Sequence, residues 1–465
     1  MTSRSRLESY HPVLHHGESG LEKEGQKRAY HHPPRVRFYP LRLCTLKRRS
    51  KSIRHRPPRW RILPPEVIHI IVGLLKHDKA TLRACSLATR DFSQPALSCI
   101  GRHITVNYVP RIKLCARLLT ANSAFQHVRS LDIGVTSKSS SPKDYLTEQL
   151  TILDIFSQRQ TLTRLWLSKI PFPSFESSQR ENIQNIVAAL GSTVNDLGLY
   201  ECSFLSRSDV ISFICAFPHC DSLYVRDCVM GGGESAGDMF SGLPKHKLSL
   251  EALELTSTSP GRVDASVSPI IDVSSLIEDA DLDVSKLSVL ICNVESDKQA
   301  HSVVTATSSS PVQHLELSCA EPGGFQGKWE TQVLYSLLRV FFFTQAFLNP
   351  LPEEWSLEYL TIRPPTCRTD LDFWQSAFQN FPAFPRLEEL TIVYHCPSYT
   401  AFNRGFWTYL DQLLGQGGIF PRSMHIDIRI TIRSTRPDQW WQRNLLYSLP
   451  SFRRYGTIKL WGLRE

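Results

Sequence analysis

The short pattern apolar-x-x-Leu-x-apolar returns eleven times along this chain, and few folds accommodate that. Val128, Leu131 and Ile133 make the first copy, Leu162, Leu165 and Leu167 the second, and Val194, Leu197 and Leu199 the third. Further copies centre on Leu223, Leu253, Leu290, Leu315, Leu360 and Leu390, with weaker ones at Ile426 and Ile458. A leucine and the apolar residue two positions on share one side of an extended segment, so each copy predicts a strand with one buried face. The copies lie about 33 residues apart on average, which leaves room for one strand and one return element per unit.

Helical periodicity fills many of the intervals, at residues 145–158, 182–190, 209–217, 329–347, 370–381, 402–414 and 439–449. A single strand and helix cannot close a core, whereas stacked units share one. The expected fold class is therefore α/β, with residues 107–465 forming an irregular solenoid around a curved parallel sheet. The spacing exceeds the roughly 20 to 29 residues usual in leucine-rich repeats, so the chain resembles a degenerate form of that repeat.

Upstream, residues 63–92 read LPPEVIHIIVGLLKHDKATLRACSLATRDF. Pro64 and Pro65 suit a helix start, where amides lack partners, and Glu66 suits the positive helix end. Val67, Ile68, Ile71, Leu74 and Leu75 recur at three- and four-residue spacing and predict one apolar face. Asp78 is the expected N-cap of a second helix whose buried side holds Leu82, Cys85 and Leu87. Arg90 and Asp91 read as an exposed turn. Phe92, Leu97, Ile100 and Ile104 suit a third short helix running into a strand. About 40 residues rarely bury enough surface to fold alone, so a partner is expected to cover the apolar face.

Residues 62–106 resemble the F-box family, and the pattern LPPEV…LL…D…LRACSL…R is especially like F-box proteins of mushroom-forming fungi. The family usually carries tryptophan shortly after the arginine, where this chain has Phe92. The resemblance implies docking on a Skp-family adaptor, and through it on a cullin ubiquitin ligase. The implied docking residues are Leu63, Pro64, Ile68, Ile71, Leu75, Leu82, Cys85 and Leu87. It also implies a non-catalytic subunit without a cofactor, working in the cytoplasm or the nucleus.

Composition narrows the function classes. With 42% apolar and 21% charged residues, the chain matches soluble globular proteins rather than disordered ones. No segment reaches the roughly 20 apolar residues of a membrane span; the best, residues 334–348, is interrupted by Arg339 and reads as a core helix. The net charge of +9 is unevenly placed: residues 1–61 hold 16 Lys and Arg against 4 acids, leaving 37 against 40 in the rest. A nearly neutral body argues against a nucleic-acid groove. Residues 1–59, rich in histidine and proline and poor in apolar clusters, are expected to be a disordered basic leader. Its run from Lys47 to Arg56 reads either as a nuclear-import signal or as a solvated linker.

Twelve cysteines lack any C-x-x-C spacing, so neither zinc nor a disulfide framework is expected. Cys85, Cys215 and Cys292 lie in apolar runs and read as small buried residues. Residues 231–233, all glycine, lack the lysine of a phosphate cradle and read as a turn. Glu278, Asp279, Asp281 and Asp283 read as a solvated acidic bend. No G-x-S-x-G, P-loop or H-E-x-x-H occurs, which leaves enzyme chemistry with little support. The expected function is substrate recognition for a Skp, cullin and F-box ubiquitin ligase, with a plain repeat scaffold as the alternative. By two-residue alternation, Trp166, Tyr200, Tyr224, Arg226, Glu254 and Glu316 face away from the leucines, where an unknown protein substrate would bind.

Overall fold

The computed structural model describes residues 63–75, 78–121, 128–134, 145–230, 239–256, 271–280, 282–294, 297–308, 310–319, 356–363, 386–396, 404–415, 425–433, 438–451 and 456–463. Residues 63–465 form one compact unit. The basic leader, the glycine run and the helical patterns expected at 329–347 and 370–381 lie outside the described residues.

The chain opens with three helices, α1 (Pro65–Leu74), α2 (Lys79–Ala88) and α3 (Arg90–Ile100). Asp78 caps α2 as its sequence predicts: Oδ1 accepts from the amides of Ala80 (3.1 Å) and Thr81 (3.0 Å). Thr89 caps α3 through its hydroxyl, which accepts from the Phe92 amide at 3.4 Å. Arg90 and Asp91 are therefore the first turn of α3 rather than a loop, because the cap places helical geometry directly after Thr89. The three helices close on a small core of Ile68, Val72, Leu82 and Ala96, with Leu75, Cys85 and Phe92 packed at its margin.

The body alternates strands and returns. In order come β1 (His103–Val106), α4 (Val109–Ala121), β2 (Ser130–Gly134), α5 (Leu146–Arg159), β3 (Arg164–Ser168), α6 (Ser177–Gly191) and β4 (Asp196–Tyr200). Then follow β5 (Ser203–Phe204), α7 (Arg207–Cys215), β6 (Ser222–Arg226), β7 (Val229–Met230), β8 (Ala252–Thr256), α8 (Val273–Asp279), β9 (Val289–Val294) and α9 (Asp297–Ser308). The last described elements are β10 (His314–Cys319), β11 (Tyr359–Arg363), β12 (Glu389–Cys396), α10 (Arg404–Gly415), β13 (His425–Arg433), α11 (Asp438–Ser448) and β14 (Gly456–Leu463).

Twelve strands make one parallel sheet in chain order, while β5 and β7 pair separately. All eleven strands expected from the leucine pattern are present. Their register is uniform: Leu131, Leu165, Leu197, Leu223, Leu253, Leu290, Leu315, Leu360 and Leu390 lie opposite one another across nine successive strands. A second row, from Ile133 through Leu167, Leu199, Val225, Leu255 and Cys292 to Ile392, runs two residues on. Helix residues such as Ile152, Phe156, Ile183 and Phe213 share one apolar cluster with these rows. Each fully buried leucine contributes on the order of 1.5–3 kcal/mol of transfer free energy, so the ladders dominate the stability of the body.

The bend after a strand uses a repeated device. Lys169, Glu201 and Asp227, each immediately after β3, β4 or β6, hold φ of 56, 50 and 54°. L-residues adopt this left-handed region at a cost, which the pairing offsets. The amides of Lys169, Glu201 and Asp227 donate to the carbonyls of Tyr200, Arg226 and Thr256 at 2.8, 2.8 and 2.9 Å, extending each ladder by one bond. Ile170, Cys202 and Cys228 then turn inward and are buried.

The acidic stretch expected as a solvated bend is more ordered than that. Glu278 and Asp279 end α8 and pair with Lys298 (2.9 Å) and Arg207 (2.7 Å), while Asp283 caps the turn at Val284–Lys286. At the start of α8, Asp272 accepts from the Ser275 amide (2.7 Å), the Ser275 and Ser274 hydroxyls (2.6 and 2.7 Å) and the Gln299 amide (2.9 Å). Burial alone would raise its carboxyl pKa, but these four donors prevail and hold it at about 2.

Replacing Leu223, which is fully buried, with alanine is expected to cost about 2–5 kcal/mol, read from urea denaturation. Asp272 makes a pH-dependent contribution, complete above its unfolded pKa of about 3.9 and lost as pH falls through about 2. Asp272→Asn should therefore be less stable than the parent at neutral pH, with the gap closing towards pH 2 in denaturation midpoints.

Candidate functional site

Two surfaces stand out, one on the helical module and one on the sheet. Helix α1 is apolar on two sides. Its inward side, Ile68, Val72 and Leu75, contributes to the module's own core. Its outward side is a stripe at i, i+3 and i+7: Val67, Ile70 and Leu74, the last two 63% and 80% exposed. Leu87 on α2 is 87% exposed, and Leu63 and Leu97 are exposed as well.

This geometry divides the expected docking residues. Leu63, Pro64 and Leu87 reach the surface, and Ile71, Leu75 and Cys85 are half-buried. Ile68 and Leu82 are sealed inside the module, 4% and 0% exposed, and cannot present a surface. The five apolar positions read from sequence as one face of α1 belong to two. Val67 and Leu74 point outward because three- and four-residue spacing spans more than half of a helix that is apolar almost all round. Ile70, which the periodicity omitted, completes the outward stripe.

On the sheet, the side opposite the leucine ladders carries polar and aromatic residues at every second position. Asp132, Trp166, Gly198, Tyr224 and Glu254 occupy one register row across β2, β3, β4, β6 and β8. Gly198 leaves a gap in that row, and the Trp166 ring lies over it. A Cβ on Gly198 would sit 2.8 Å from Trp166 Cδ1 and 2.9 Å from Tyr200 Cε2. The indole packs against Tyr200 (centroids 5.1 Å, 48°) and Tyr224 (5.8 Å, 52°), and its Nε1 donates to Asp196 Oδ1 at 2.9 Å. The Arg164 guanidinium stacks 3.8 Å above the indole and meets Asp196 at 3.3 Å.

Acids and arginines follow one scheme along this face. Arg226 pairs with Glu254 and donates to Thr256 Oγ1 at 3.2 Å, Arg363 pairs with Glu316 at 2.6 Å, and Arg429 pairs with Asp427 at 3.0 Å. In each pair the acid is the more buried partner. Trp166, Tyr200, Tyr224, Arg226 and Glu254 are thus one contiguous cluster, as their alternation predicts. Glu316 sits two strands beyond it in the sheet order, held by Arg363.

Burial raises the carboxyl pKa of both Asp132 and Asp196. Arg164 opposes that shift at Asp132, and Trp166 and Arg164 oppose it at Asp196. Tyr200 and Tyr224 are pushed up, mainly by burial and further by Glu254 and Asp196 respectively. Burial would lower Arg226, but Glu254 overrides it and raises it. Arg164, Asp196 and Gly198 were missed from sequence. The first two lie two and four residues before named positions, so the same alternation rule would have found them, whereas the part played by Gly198 depends on register.

Burial pushes Cys215 up to about 11 and Cys220 and Cys292 to about 12, so these thiols stay protonated at neutral pH. Among the described residues no group of three His, Cys, Asp or Glu could hold a metal ion, and no helix is long and apolar enough to cross a membrane. Comparison with protein-family models and with curated proteins found no match to this chain.

Gly198→Ala should displace the Trp166 and Tyr200 rings and destabilise the protein by about 1–3 kcal/mol. The check is loss of the Trp166 indole proton shift seen in the parent by NMR, together with a lower denaturation midpoint.

Proposed function

We propose that this chain is the substrate-recognition subunit of a Skp, cullin and F-box ubiquitin ligase, with residues 62–106 as the F-box and the leucine ladders as degenerate leucine-rich repeats. The observation that carries the proposal is the outward stripe of Val67, Ile70 and Leu74 with Leu87. These side chains lie exposed on a module whose inward face is already satisfied. An exposed apolar stripe of this kind marks a binding site, and it falls within the segment that resembles the F-box. A Skp-family adaptor covers the stripe, and the cullin follows through the adaptor.

The sheet face supplies the second contact. Trp166, Tyr200, Tyr224 and Arg226 are residue types that dominate binding energy when a partner encloses them. The chain contributes proximity, holding a target lysine near the ubiquitin carrier so that an encounter becomes local.

The sealed positions of Ile68 and Leu82 favour a second reading, a repeat scaffold in which the module only caps the body. Coexpression separates the two. A chain that is monodisperse alone and ignores the adaptor supports the scaffold, whereas a chain that is soluble only with adaptor supports the ligase.

Ile70→Asp combined with Leu74→Asp should abolish capture of the adaptor in pull-downs while leaving circular dichroism unchanged, because both side chains lie outside the module's core. Retained capture would remove the docking claim. Trp166→Ala with Tyr224→Ala should keep the adaptor and lose substrates from the purified complex, as read by mass spectrometry.

A further inference from the structure

Helix α4, the return between β1 and β2, differs from the returns that follow it. Its inward side, Ile112, Ala116 and Leu119, belongs to the main apolar cluster, with Cys115 packed at the margin. Its outward side carries Leu114 and Leu118, both exposed and neighbours at four-residue spacing. Among the described residues of α5 to α9, the next five returns, no large apolar side chain is exposed. A leucine scattered singly on a surface needs no explanation, but these two share one side of one helix. The charge around them has one sign. Helix α4 contains three bases and no acid, and no acid occurs from Phe92 to Leu131. Lys113 lies towards α5 and pairs there with Glu148 at 3.7 Å. Arg111 and Arg117 are exposed, and the helical period sets them on opposite flanks of the leucine pair.

We infer that this side of α4 docks an acidic amphipathic helix of another protein, one that lays leucines against Leu114 and Leu118 and carboxylates against Arg111 and Arg117. Arg111, Leu114 and Leu118 follow each other at three- and four-residue spacing, the ridge that a second helix packs against. Charges on the flanks of an apolar seam choose the partner by sign, and a guanidinium takes a carboxylate through paired hydrogen bonds. A second copy of this chain is disfavoured, because α4 on α4 brings arginines together with no acid between them. A bilayer is disfavoured as well, since two cations fall short of the clusters of about four to eight that hold a protein on anionic lipid. The contact is separate from the adaptor stripe on α1 and does not depend on it.

The test uses the full chain and three fluorescein-labelled helical peptides of about 18 residues, five turns each, read by fluorescence anisotropy. The first has leucines at three- and four-residue spacing flanked by glutamates, the second has lysines for the glutamates, and the third has serines for the leucines. The first should bind, more weakly as salt is raised, and the other two should not. Arg111→Glu with Arg117→Glu should weaken the acidic peptide about 10-fold or more and admit the lysine peptide. Leu114→Ser with Leu118→Ser should weaken it by a similar factor. Both pairs lie outside the apolar cluster, so circular dichroism should stay as in the parent. Ile70→Asp with Leu74→Asp should leave the affinity unchanged, which separates this contact from adaptor docking. No binding of the acidic peptide, equal binding of the lysine peptide, or an affinity that ignores the arginine pair overturns the inference. So does loss of binding in the Ile70 and Leu74 variant, which would put the peptide on the adaptor stripe. Cosedimentation with vesicles of phosphatidylcholine and phosphatidylserine that Leu114→Ser with Leu118→Ser abolishes would assign the surface to lipid and overturn it too.

Discussion

The stacking of leucine on leucine across parallel strands is the constraint on which the rest depends. Nine leucines in a single register row fix which residue of each strand meets which residue of the next. A slip of one position would turn every buried leucine to the other face and bring Trp166, Arg226 and Glu254 into the core. The site on the open face is thus placed by the residues on the hidden one. Parallel pairing also requires a return between strands, and the described helices that serve as returns pack on the apolar side.

On that open side, order comes from compensating polar contacts rather than from burial alone. The most buried acids, Glu254, Glu316 and Asp427, each hold an arginine that reaches outward. Acids left alone at such positions would lack compensation for their burial, and the pairing supplies it while aligning the guanidinium groups. Trp166 plays a comparable organising part. By lying across the gap at Gly198 it contacts three residues from two other strands, Tyr200 and Asp196 on β4 and Tyr224 on β6, and ties the cluster together. Preformed contacts of this kind reduce the ordering cost of association.

Much of the fold was legible because the leucine pattern is strong and its period of two is unambiguous. The eleven strands and the five described helices with clear periodicity stand where the sequence places them, within a few residues. Helices α4, α8 and α9 were not legible. In α9 the buried positions include Gln299 and Thr307, so no apolar stripe marks it, and Pro110 disguises the first turn of α4. The short pairing of β5 with β7 follows from the left-handed residues Glu201 and Asp227, which no composition rule flags. At the sites, alternation along a strand located the aromatic cluster. Periodicity along α1 did not distinguish its two apolar sides, because a helix with greasy residues all round gives no phase.

Sequential strand order has a consequence for how such a chain changes over time. Every inner strand of the large sheet pairs only with the strands before and after it in that sheet, and among the described residues no crossover interrupts that order. Removing or duplicating one whole strand-and-return module would ask no remaining strand to find a new kind of neighbour. The length of the molecule, and with it the reach of its open face, is free to drift by whole modules while the geometry around Trp166 stays as it is.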